Sequence, residues 1–192
     1  MVLLGMLACN SRETSTENAA PVQEADSALN TEKDREALPK TIQDTLMLEG
    51  MAEPVSMNLY NTPEGFPLSF HTYLPENFTH EALSSPTAET IRFSMGEAQI
   101  SFVVLPANTG RSKAQSVAKA SLGKANIQSC RSSYDWQWEC LYVAGKGAQV
   151  SRVLLGEQQG RQFYFLISYP AEYGDGLGPR YARVLEEWKF DF

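Results

Sequence analysis

Apolar and polar residues alternate with period two along much of the chain from about Leu48 onward, the spacing of half-buried β-strands. Val55, Met57 and Leu59 form one such set, and Phe66, Leu68 and Phe70 a second, with "TPEG" as the turn between them. Ile91, Phe93 and Met95 alternate, then Ile100, Phe102 and Val104, and the intervening "GE" predicts a hairpin. Between Arg111 and Leu122 the spacing becomes helical, with Ala114, Val117, Ala118 and Leu122 on one side. Three more strands are predicted at about Trp136–Val143, Gln149–Leu155 and Arg161–Tyr169. A closing helix is predicted from near Pro179, a residue suited to a first helical turn, with Tyr181, Val184, Leu185 and Trp188 as its buried stripe. Hairpin-like strands with few helices predict an α+β domain, a mainly antiparallel β-sheet flanked by helices.

The region ahead of these strands has a different pattern. "MVLLGMLA" is apolar and ends at Cys9, and residues 9–47 are rich in Ser, Thr, Glu, Asn and Ala with no aromatic residue. Such a composition buries too little apolar surface to offset ordering entropy, so it predicts a flexible tether with an r.m.s. span of roughly 35 Å. The domain organisation expected is therefore a partial signal peptide (1–8), a tether (9–47) and a globular domain (48–192).

Met6-Leu7-Ala8-Cys9 resembles the lipobox of bacterial lipoproteins, in which the cysteine becomes the acylated first residue of the mature chain. Met6 departs from the family's usual Leu, and the basic n-region is missing, which implies a start upstream of Met1. The resemblance implies lipidation at Cys9, a membrane anchor and a periplasmic-side location in the cell envelope. In a Gram-negative host the Asn10-Ser11 pair, lacking the Asp of the inner-membrane retention signal, points to the outer membrane. The alternative is an apolar N-terminus docked on the core with Cys9 a free thiol.

Composition narrows the function classes. A chain of 192 residues with 43% hydrophobic content supports one cored domain, and a net charge of −7 argues against nucleic acid as partner. Three cysteines and two histidines leave little for a metal site, and no cofactor is expected. "HEALS" at His80 lacks the second histidine of a zinc helix, and His71 reads as structural or exposed. The glycines of "YGDGLGPR" have the wrong spacing and context for a phosphate cradle and read as a flexible connection. No nucleophile, general acid or general base is placed by motif, so an enzyme is not expected.

Three constellations remain. If "CRSSYDWQWEC" turns near Asp135, Cys130 and Cys140 face each other and an oxidising compartment would let them form a disulfide; the alternative is two reduced core cysteines. The same alternation puts Trp136 and Trp138 on one face, either packed in the core or exposed to grip a small ligand. Between Ala98 and Tyr134 there is no acidic residue, while Arg111, Lys113, Lys119, Lys124 and Arg131 all fall there. These predict a positive region for an envelope protein or an anionic polymer, or simply a solvated helix face.

"GFPLSFHTYLPENF", a hairpin, one helix, "WQWECLYV" and "FYFLISYPAEYGDGLGPRYARVLEEWKF" follow in an order similar to the PsbP-like superfamily over about Val55–Phe190. That resemblance implies an antiparallel sheet sandwiched by helices, and a non-enzymatic binding or assembly role, because the known members are mostly of that kind. The expected function is a membrane-anchored binding or assembly module of the envelope. The alternative is a small-ligand binder using the Trp136/Trp138 face.

Overall fold

The computed structural model describes residues 38–48, 50–123, 126–131, 134–143 and 148–191. Cys9, the signal segment, residues 9–37 of the expected tether and Lys124 lie outside the described residues. The globular unit begins at Leu38.

In chain order the strands are β1 (Thr41–Leu48), β2 (Met51–Asn61), β3 (Phe70–Pro75), β4 (Thr79–Ser85), β5 (Ala88–Met95) and β6 (Ala98–Val104). Helix α1 (Arg111–Ser121) comes next, then β7 (Ile127–Ser129), β8 (Gln137–Val143), β9 (Gln149–Gln158) and β10 (Arg161–Pro170). Helix α2 (Gly174–Glu186) and the short β11 (Lys189–Phe190) close the chain. Four strands make a small sheet in the order β1-β2-β3-β11, and seven make a large one in the order β4-β5-β6-β10-β9-β8-β7. Every pairing among them is antiparallel.

The expected α+β class, a sheet flanked by helices, is corrected by this arrangement. The inner face of the large sheet packs on a second sheet, and only two short helices are present among the described residues. β1 also starts the fold ahead of residue 48, inside the segment expected to be tether. Its alternation Ile42-Asp44-Leu46-Leu48 is interrupted by a carboxylate, which the structure uses: Arg183 of α2 forms an ion pair with Asp44.

The large sheet is buried on both sides because its central strands are apolar at both parities. Phe163, Phe165 and Ile167 face the small sheet and α2, whereas Tyr164 joins Val103, Leu141, Val153 and Leu155 under Ala114 and Ala118 of α1. The inner core is aromatic. Phe102 lies 5.1 Å from Phe70, 4.9 Å from Phe165 and 4.8 Å from Trp188, and Trp188 stacks on Phe70 at 3.9 Å.

Local chemistry explains the connections. The β9–β10 turn has positive φ at both Gln159 and Gly160, the conformation a tight two-residue hairpin requires. Phe66 and Leu68, expected in a strand, fall in the loop before β3, which Thr62 closes by bonding both backbone groups of Phe70. "YGDGLGP" is the opening of α2 rather than a flexible connection, so Pro179 lies inside the helix.

Candidate functional site: an aromatic cleft beside the small sheet

The two sheets differ in width, and the site follows from that difference. Ring contacts pair Tyr60 of β2 with Phe93 of β5, Phe70 of β3 with Phe102 of β6, and Phe190 of β11 with Phe163 of β10. The small sheet thus ends over β10, and the inner face of β9 and β8 extends beyond it. A cleft of about 960 Å³ opens there.

Leu154 of β9 and Ile167 of β10 lie at its apolar floor. Tyr181 and Leu185 of α2, with Trp188 and Phe190 after it, form one side; Tyr134, Asp135 and Trp136 form another. Tyr134 and Trp136 are parallel, with ring centroids 5.0 Å apart and planes 4° apart. Trp136 in turn rests on Phe163 and Phe165 at 5.5 and 4.9 Å.

Three features hold this aromatic pair. Cys130 and Cys140 form a disulfide, and the Cys130 N–H donates to the Cys140 carbonyl. The Gln137 N–H donates to the Tyr134 carbonyl, closing the turn between them. Gly156, opposite Gln137 and Phe163 in the ladders, leaves the space in which the Phe163 ring and the Trp136 backbone approach β9.

The expectation that Trp136 and Trp138 share a face is corrected. A register irregularity between Gln137 and Glu139 inserts an extra residue and switches the side. Trp136 faces the cleft, while Trp138 packs on the α1 side, where its Nε1–H donates to Gln162 at 3.2 Å and the Arg111 guanidinium lies 5.5 Å from its ring centroid. Both rings are half-buried.

The basic region is divided in the same way. Arg111 pairs with Glu157, and Lys113 and Lys119 are exposed on α1, on the outer side of the large sheet. Arg131 instead lines the cleft. These residues therefore do not make one continuous patch. Arg152, an exposed position that alternates with Val150 and Leu154, joins Arg131 in the cleft. An arginine in register with inward apolar residues is the signal that would have found it.

The electrostatics of the cleft are mixed. The Tyr134 hydroxyl is held above its ordinary pKa, first by burial and then by the charge of Glu186, with Arg152 acting in the opposite direction. Burial also pushes the Tyr181 hydroxyl up strongly. Tyr181 and Trp188 are each only 2% exposed, and the Tyr181 hydroxyl and Trp188 Nε1–H have no hydrogen-bond partner among the described residues.

Elsewhere, His71 bonds Asp191 at 2.8 Å, and His80 stacks edge-on against Tyr60. Among the described residues no group of three or more His, Cys, Asp or Glu side chains is placed to hold a metal ion, and no helix is long and apolar enough to cross a membrane.

No protein-family model matches the chain, and no curated protein matches it. Among solved structures, it is similar to the solution structure of cyanobacterial PsbP (CyanoP) from Synechocystis, with 12% identity and a TM-score of 0.47 over 70% of this chain and 92% of that one.

Proposed function

We propose that the protein is a non-catalytic binding module of the bacterial cell envelope, tethered to a membrane through a lipid on Cys9, and that the cleft is its binding site. The cleft carries this reading: its volume suits a small molecule, its walls combine aromatic and aliphatic side chains with a few charged ones, and a disulfide and a tight turn hold its outer aromatic pair in place. The Cys130–Cys140 bond also suits an oxidising compartment. The lipobox-like Met6-Leu7-Ala8-Cys9 supplies the location, facing away from the cytoplasm, with the outer membrane as the destination in a Gram-negative host.

A second reading, assembly with an acidic envelope partner or polymer, rests on Lys113 and Lys119, which are exposed on α1 without an ion pair among the described residues.

Two measurements test the proposal. Radiolabelled palmitate should enter the full chain and not Cys9→Ser, which should leave the membrane fraction; equal distribution of the two proteins sinks the anchor. A small-molecule thermal-shift screen should yield hits that Trp136→Leu abolishes and Lys113→Glu with Lys119→Glu preserves. The reverse pattern moves the function to α1.

A further inference from the structure

We infer that the cleft takes a small anion with a flat apolar body, such as an aromatic carboxylate. This inference rests on the reading of the cleft as the binding site and adds the chemical class of its occupant.

The charges decide the sign. Arg131, Arg152 and Lys189 all line the cleft, and none has a side-chain hydrogen bond or ion pair among the described residues. Of the acids there, Glu157 is engaged by Arg111 at 3.1 Å, and Glu186 shares the one Arg183 guanidinium with Asp44 and Glu187, which leaves Asp135 and part of the Glu186 charge. Three cations without a side-chain partner against Asp135 and a partly neutralised Glu186 favour an anion. Arginine offers a carboxylate two parallel N–H donors, a stronger and more directional pairing than a point charge gives.

The body of the ligand follows from the walls. Trp136, Tyr134 and Tyr169 present ring faces and edges, and Leu154 and Leu185 present methyls, which together suit a flat apolar group. A second observation is independent of charge. Tyr181 and Trp188, both in the cleft lining, each carry a buried polar hydrogen with no acceptor among the described residues. Buried donors of this kind are rare without a partner, and an acceptor-bearing occupant or its attendant water would supply one. At about 960 Å³ the cleft lies near the upper end of the range of roughly 300–1,000 Å³ typical of small-molecule sites.

The test uses the full chain with naphthoate and its uncharged counterpart naphthylmethanol, read by tryptophan fluorescence and thermal stabilisation. Naphthoate should bind about tenfold tighter, the factor expected of a charge-assisted pair. Arg152→Gln should remove that advantage and leave naphthylmethanol binding unchanged, while Arg152→Lys should keep part of it. Trp136→Leu should weaken both probes, and Trp136→Phe should retain both if the leucine variant is poorly folded. Equal binding of the two probes, indifferent to Arg152→Gln, overturns the anion and leaves the cleft reading intact. Failure of both probes to bind overturns the cleft reading and this inference with it. Naphthoate binding that survives Arg152→Gln and disappears in Lys113→Glu with Lys119→Glu places the anion on α1 and overturns the inference.

Discussion

A Cβ on Gly156 would lie 2.3 Å from Cζ of Phe163, and 2.8 Å from the Trp136 carbonyl oxygen on its other side. Neither neighbour can yield cheaply. The Phe163 ring is fully buried, and Trp136 O also accepts from the Glu157 N–H. Gly156→Ala should therefore destabilise the domain by about 1–3 kcal/mol, the usual cost of overpacking a filled core. It should also weaken any cleft ligand, because Trp136 must move. Urea denaturation with ligand titration checks both effects, and an unchanged midpoint would contradict the packing described.

The Cys130–Cys140 bond closes a short loop that carries Tyr134 and Trp136. Loop-closure entropy over ten residues of separation gives about 2–3 kcal/mol. Adding dithiothreitol should lower unfolding stability by that amount and raise the exposure of Trp136, visible as a red-shifted emission. A stability indifferent to reductant would show that the ladder alone holds β8 at the cleft.

Thr72 is fully buried on β3, and its hydroxyl donates to the Val184 carbonyl at 2.7 Å. That carbonyl lies in the last turn of α2, where helix carbonyls lack intrahelical donors. Thr72→Val keeps the shape and removes the donor, so it should cost about 1–3 kcal/mol, and Thr72→Ser should recover part of it. Because Leu185 and Trp188 follow directly, the same change should loosen the α2 side of the cleft. Hydrogen exchange at the end of α2 reads that loosening.

Glu157 is held below the ordinary carboxylate range, chiefly by a hydrogen bond from Gln162 and then by Arg111. Trp138 fixes the Gln162 amide by donating to its carbonyl oxygen. A depressed folded-state pKa favours the fold above the unfolded carboxylate pKa, and this contribution is lost as pH falls through the folded value. The contribution is therefore complete at neutral pH, and its loss is confined to acidic pH, from the ordinary carboxylate pKa down through the lowered folded value. Arg111→Gln should move the Glu157 titration upward, and Trp138→Phe should do so as well by freeing Gln162 to rotate. Carbon-detected NMR titration measures each shift; an unmoved Glu157 in both variants would refute the linkage.

Much of the strand pattern was legible, and the reason is visible in particular residues. Ile91 and Phe93, Ile100 and Phe102, and Val153 and Leu155 face either of two apolar layers, so local alternation reports them directly. β4 is exposed along its whole length and β11 has two residues, so neither carries an apolar signal. The opening of α2 is glycine-rich, and helix formation there prevails over weak propensity as Leu177 becomes buried in the core.

What the sequence determined by itself was the set of strongly periodic elements and the apolar stripe of α2. Only the tertiary structure decided that a second sheet covers the first, that Trp136 and Trp138 lie on opposite faces, and that Arg131 and Arg152 meet in one cleft. Periodicity is a property of neighbours in the chain. A bulge of one residue reverses it without changing composition, and the widths of two packed sheets are set by pairings between strands far apart in sequence.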